Sequence, residues 1–273
     1  MSLKDLLVIS DNDPTHAGRL DIALALAAEH HAHLTGLHVM PPLRPIFGDT
    51  PVPETVEKMQ RLELEDAARR AAAVFAERAG RATVSTEWRV AEGDIVRVAS
   101  EHARYADLTV LPQGMDLGFA SADLARLPEE MALGVGRPVL VIPRYGSFPK
   151  VGGRVLVAWN GTREATRAVH DALPLLRRAE QVTVLSIDPD GEGRLPGADV
   201  SLHLTRHGVT VQAATITGAD VAVGDILLSY AADHDIDLIV MGAYGHSRLR
   251  EMVLGGATRT VLRHMTAPVL MSH

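Results

Sequence analysis

An internal repeat restricts the fold of this chain more than any other pattern in it. Leu6-Leu7-Val8-Ile9 returns as Val155-Leu156-Val157-Ala158, 149 residues on, and 34–39 returns as 182–187, 148 residues on. Gly93-Asp94-Ile95 and Gly224-Asp225-Ile226 lie 131 apart; 106–111 and 236–241 lie 130 apart, as do 138–141 and 268–271. Self-similarity of this kind marks copies of one structural unit. The spacing changes once, so the first copy is longer in its middle. The 273 residues therefore divide into two domains of one design, 1–145 and 152–273. The Gly- and Pro-rich stretch 143–153 lies at the boundary.

Within each copy, short apolar runs alternate with helical patterns. Strands are expected at 6–9, 33–39, 84–90, 108–111 and 139–142, and again at 155–158, 181–187, 209–215, 238–241 and 269–271. Several runs are apolar on consecutive residues, the mark of parallel strands covered on both faces. Helices are expected over 17–30, 54–79, 95–105, 163–179 and 223–234. Such alternation builds right-handed crossovers. The expected fold is α/β, with two tandem doubly wound, Rossmann-like domains. Each would carry a five-stranded, mostly parallel sheet flanked by helices. The stretch Pro41–Pro53, with five prolines, is expected to be a loop near the strand ends.

Composition removes several function classes. Hydrophobic residues make up 47% and charged residues 22%, which supports a packed core and excludes a disordered chain. Aromatics are only 4%, too few for a platform that stacks single-stranded nucleic acid. With 27 basic against 34 acidic residues, the net charge of −7 offers no basic excess for a duplex, so no nucleic-acid partner is expected. The absence of Cys excludes disulfides, thiolate nucleophiles and Cys-ligated metals. No apolar run of about 18 residues occurs and Leu6–Ile9 is too short for a leader, so a cytoplasmic protein without membrane association is expected.

Ligands of open α/β sheets bind at the carboxyl ends of the strands. In the second copy the fourth strand ends at Met241 and runs into Gly242, Gly245, Gly255 and Gly256, followed by a helical pattern at Val261, Leu262 and Met265. Glycine lets a ligand approach backbone amides closely, and a glycine pair before a helix presents unpaired N–H groups to an anion. The alternative is tight turns only. The loop is neither a P-loop, since no lysine follows Lys150, nor the close-spaced dinucleotide fingerprint.

The G-x2-G-x9-G pattern of Gly242, Gly245 and Gly255 resembles the nucleotide loop of the universal stress protein family. The resemblance extends to 157–162, 234–241 and 268–271, and covers nearly the whole chain as two copies. It implies an adenine nucleotide as ligand, ATP or ADP with or without Mg, and no covalently bound cofactor. Gly242, Gly245, Gly255, Gly256 and Ala257 would line the phosphates, with Ala158, Asn160 and Met241 near adenine and ribose. Thr258 and His246 complete the expected site. Two positions depart from the family pattern: Gly256 stands where Ser or Thr usually follows the last motif glycine, and Asn160 stands where the first strand usually ends in Asp. The resemblance also implies pairing through the last strand, here as an intramolecular pseudo-dimer, with a further homodimer left open. An unidentified protein partner would read the nucleotide state in a stress response.

The first copy lacks the loop. Counted from Leu111, its residues Pro112, Met115, Ala125, Arg126 and Pro128 match Gly242, Gly245, Gly255, Gly256 and Thr258. One nucleotide site is therefore expected, in the second copy, while the first keeps Asp11 at its first strand end. His30, His31 and His33 read as a solvated helix end, and His234, Asp235 and Asp237 as an exposed turn. His246 reads as an exposed loop residue, or as a phosphate acceptor in slow self-modification. Arg248, Arg250 and Arg259 are candidate phosphate partners. No nucleophile–base pair and no metal site is found, so a binding protein is favoured. The alternatives are a slow ATPase or autokinase on the same loop, or an interaction protein that binds no nucleotide.

Overall fold

The computed structural model describes residues 2–13, 15–43, 53–114, 122–188, 197–217, 221–244 and 256–273, with backbone alone at 122 and 123. The chain forms two compact units, one from Leu3 to Val110 and one from Leu111 to His273.

The first unit contains β1 (Asp5–Ser10), α1 (His16–His30), β2 (His33–Met40), α2 (Glu54–Ala79), β3 (Thr86–Glu92), α3 (Ile95–Ala103) and most of β4 (Leu108–Pro112). Its strands run in the order β3-β2-β1-β4, with parallel pairing throughout. Leu6, Val8, Ile9, Leu34 and Leu37 are fully buried, as expected of strands covered on both faces. Asp94 caps α3 by accepting the Arg97 N–H at 2.8 Å. Gly36, in the middle of β2, leaves room for an aromatic contact: a Cβ there would lie 2.6 Å from the Phe75 ring and 2.8 Å from Trp88. The Phe75 and Trp88 rings meet at 5.1 Å.

The second unit contains α4 (Ala122–Gly134), β5 (Val139–Ile142), β6 (Arg154–Ala158), α5 (Arg163–Leu176), β7 (Gln181–Ile187), α6 (Ala198–Arg206), β8 (Val211–Ile216), α7 (Val223–Asp233), β9 (Leu238–Gly242), α8 (Ala257–His264) and β10 (Val269–Ser272). Its strand order is β5-β10-β9-β6-β7-β8. All pairs are parallel except β5 with β10, so the sheet is mixed. The last α–β pair of the first repeat thus belongs to the same compact unit as the whole second repeat. Leu140 pairs directly with Leu270, and these are the same position in the two repeats.

Each repeat secures the start of its first strand by the same device. Asp107 accepts the N–H groups of Lys4 at 2.7 Å and Asp5 at 3.2 Å. Asp237, its counterpart, accepts those of Gly152 at 2.9 Å, Gly153 at 3.0 Å and Arg154 at 3.1 Å. Asp237 is therefore not the exposed turn residue that the sequence suggested. Burial raises its carboxyl above the usual value, against the opposing pull of those three amides. His30 also departs from expectation: it is 3% exposed in the core face of α1, while His31 takes the left-handed conformation (φ 51) that ends the helix. Helices α4 and α6 had no strong sequence pattern of their own. Pro128 lies inside α4, and α6 has only nine residues.

A methyl group added at Gly36 has nowhere to go. Gly36→Ala is expected to destabilise the first unit by roughly 1–3 kcal/mol, measured by chemical denaturation. Unchanged stability would show that Phe75 and Trp88 repack freely.

Candidate functional site

Strand order reverses between β9 and β6, because the chain leaves β6 towards β7 on one side and reaches β9 on the other. Such a reversal opens a crevice at the carboxyl ends of the two strands. β6 delivers Ala158, then Asn160, whose Oδ1 accepts the Thr162 N–H at 3.2 Å and the Thr162 hydroxyl at 2.8 Å. Gly161 takes φ 72 in this turn, and Thr162 caps α5 by accepting the Ala165 N–H at 3.3 Å. The N-terminus of α5 therefore stands beside the end of β6, with Asn160 exposed.

β9 delivers Met241, 4% exposed, and then Gly242. A Cβ on Gly242 would sit 2.6 Å from Ala165 N and 2.6 Å from the Glu164 carbonyl carbon. Both are backbone atoms that cannot turn aside, so glycine is needed for β9 to end against α5. Beyond it, the Ala243 N–H donates to the Ser272 carbonyl at 2.8 Å, and His273 Nδ1 donates to the Ala243 carbonyl at 2.8 Å. Tyr244 adopts φ 55, and its N–H donates to Thr258 Oγ1 at 3.2 Å. Thr258 is 2% exposed, so its hydroxyl ties the stretch after β9 to the first turn of α8. Gly245, His246 and Gly255, with Arg248 and Arg250, lie outside the described residues. Gly256 is the N-cap of α8; it provides no side-chain cap, and its carbonyl accepts the N–H groups of Arg259 at 2.9 Å and Thr260 at 3.2 Å. Arg259 Nε lies 3.8 Å from Glu129 Oε1.

Glu164 is 9% exposed beside Gly242. Burial pushes its carboxyl up, but a hydrogen bond from its own backbone and the charges of Arg163 and His273 bring it below the usual value. Among the described residues, no group of three or more His, Asp or Glu side chains is placed to hold a metal ion.

The same strand ends in the first repeat are built differently. Asp11 forms the matching turn, accepting the Asp13 N–H at 3.0 Å. Two side chains absent from the second repeat then enter. Arg19, 2% exposed, places Nη2 2.7 Å from Asp11 Oδ2 and donates Nε–H to the Ile9 carbonyl at 3.2 Å. His16, 3% exposed, shares a 2.9 Å hydrogen bond with Ser10 Oγ, while His38 Nδ1 donates to the Ser10 carbonyl at 3.0 Å. By the 149-residue offset, His16 and Arg19 correspond to Ala165 and Ala168, which are buried at the same places on α5. Two methyl groups in the second repeat thus replace an imidazole and a guanidinium in the first. The helix after the fourth strand differs as well. α8 starts at Ala257, whereas the matching Leu127 lies well inside α4, which begins at Ala122. Ala125 and Arg126 in place of the glycine pair favour that longer helix.

Ala165, Ala168, His16 and Arg19 did not stand out in the sequence, because an alanine or arginine within a helical pattern carries no signature. The signal was available only by aligning the two α1-type helices residue by residue.

A doubly wound sheet with a crevice at its switch point, present twice in tandem, defines the class of this protein. The chain belongs to the universal stress protein family, whose family model matches residues 3–143 and again residues 153–273. A curated relative, universal stress protein Slr1230 of Synechocystis, is 28% identical over 166 residues, covering 58% of this chain and 54% of its own. The matched region thus spans about half the length of that relative. A universal stress protein from Archaeoglobus fulgidus superposes with a TM-score of 0.76 at 15% identity, covering 98% of this chain and 95% of its own. A further structure, of a putative universal stress protein from Pseudomonas aeruginosa, gives 0.62 at 15% identity, with coverage of 99% and 93%. At such identities these likenesses establish the fold.

Burial lowers the His16 pKa to about 4, helped by the neighbouring Arg19, and burial lowers that of His38 too. In the unfolded chain both return towards 6.5, so between pH 6.5 and about 4 the unfolded state binds more protons. Stability is then complete above pH 6.5 and falls as the pH drops towards 4, by on the order of 3 kcal/mol for His16. Urea denaturation at pH 7 and pH 4.5 tests this. The wild type should lose stability with acid, and His16→Gln should show a shallower loss. Equal slopes would sink the assignment.

Proposed function

We propose that this chain is a cytoplasmic regulatory protein of the stress response that binds one adenine nucleotide, ATP or ADP, at the second repeat. The observation that carries the reading is the contrast at the strand ends. The second repeat has small residues, Ala165, Ala168 and Gly242, where α5 packs against the end of β9; at the matching positions the first has His16, Arg19 and Pro112.

In this reading adenine and ribose lie near Ala158, Asn160 and Met241. The phosphates meet the backbone of Gly242, Gly245, Gly255, Gly256 and Ala257, and Mg accompanies the phosphate charge. Asn160 Oδ1 is taken by Thr162, so its Nδ2 is the group that faces the ligand as a donor. Thr258 acts through the stem of the loop, by its bond to Tyr244. Occupancy changes the surface offered to a protein partner. The antiparallel β5–β10 pair does within one chain what the last strands of two chains do in a dimer.

Isothermal titration calorimetry on nucleotide-stripped protein tests the reading. ATP should bind the wild type. Gly245→Met, which installs the residue of the first repeat, should weaken ATP at least tenfold and spare adenosine. Ala168→Arg, which installs the guanidinium of the first repeat, should weaken both. Absence of ATP or ADP binding up to millimolar concentration in the wild type would refute the proposal.

A further inference from the structure

The geometry points to Gln113, a residue of the first repeat, as the positioning residue that holds the phosphate-side helix of the second repeat. This inference rests on the nucleotide reading above and names what regulates that site.

Gln113 follows β4, and its backbone N–H donates to the Ile142 carbonyl at 2.9 Å, which secures it to the end of β5. Its side chain is fully engaged. Oε1 accepts the Arg144 N–H at 3.0 Å, which orients the amide. Nε2 then donates to the carbonyls of Leu262 at 2.8 Å and Arg263 at 3.1 Å. Those two carbonyls belong to the last turn of α8, where intrahelical donors run out. Met265 leaves the helix with extended backbone (ψ 134) instead of folding back to cap it. Gln113 therefore supplies donors that the helix end lacks.

α8 has eight residues, about 12 Å of helix, and its other end is Gly256 and Ala257. So short a helix moves as a rod: fixing its C-terminal carbonyls fixes where its N-terminal amides point. The second attachment agrees with this. Glu129 of α4 faces Arg259 of α8 at 3.8 Å. Both contacts come from the first repeat and grip the helix behind the glycine pair.

The Gln113 contact has no counterpart at the matching position. By the 130-residue offset the counterpart of Gln113 is Ala243, which has no side-chain donor for the carbonyls at the end of α4. The repeat with the glycine loop receives the buttress, and the repeat without it provides the buttress. Loss of the loop in the first copy is thus compatible with a retained task for that copy.

Gln113→Glu tests the idea because it keeps size and shape. One carboxylate oxygen still accepts the Arg144 N–H, but the other faces two carbonyl oxygens and has no hydrogen to give. Two readouts on the full chain are needed. Hydrogen exchange without nucleotide should be faster in 257–264 for the variant, while β6 and β7 stay protected. In calorimetry the variant should bind ATP at least fivefold more weakly and adenosine as the wild type does. Gln113→Met, neutral and donor-free, should fall between. Unchanged exchange in α8, or equal effects on ATP and adenosine, overturns the positioning role. Wild-type protein that binds no ATP overturns the nucleotide reading and the role at that site together, whereas exchange alone still reports on the buttress.

Discussion

The seam between β5 and β10 sets the position of every element around the second crevice. β10 lies against β9, β9 against β6, and the space at their carboxyl ends is where Gly242 meets α5. At the centre of the seam Leu140 pairs with Leu270, the same position of the two repeats. Glu129 and Arg259, again one repeat position 130 residues apart, face each other at 3.8 Å. In an isologous dimer such a position meets itself, so a charge there would meet its like. Duplication within one chain lifts that restriction: one copy is acidic and the other basic. Gln113 and Ala243 show the same freedom used differently, with a hydrogen-bonding amide on one side only.

The two strand-end regions carry the consequence. In the first repeat Arg19 neutralises Asp11, and His16 and His38 converge on Ser10, so the polar groups there satisfy one another without a ligand. In the second, Ala165 and Ala168 stand at the matching helix positions, and among the described residues Asn160 Oδ1 bonds within its own turn. A buried ion pair contributes little net stability compared with apolar packing of similar volume. The Arg19–Asp11 pair is better understood as an occupant of the first crevice than as a source of stability.

Much of the fold was legible in the sequence, since the repeat offsets and consecutive apolar runs are direct outcomes of parallel, doubly covered strands. The helix 54–79 has its expected ends, and Val139–Ile142 and Gln181–Ile187 are the strands anticipated. α4 and α6 were not anticipated, one because a proline interrupts its pattern and the other because only Val200 and Leu204 of its nine residues are buried. Asp237 looked like a surface turn residue, yet it binds three amides 83 to 85 positions away, a partnership that no local pattern encodes. At the candidate site the glycines stood out, because only glycine allows the approach seen at Gly242. The two alanines and the Arg19–Asp11 pair did not, since their meaning lies in comparing one crevice with the other.

The central claim is that two copies of one fold provide one nucleotide site. Equilibrium dialysis of the stripped protein against labelled ATP measures this directly. Saturation at one nucleotide per chain is the predicted result. Saturation at two would contradict the closed first crevice, and no retention at millimolar ATP would contradict the site itself.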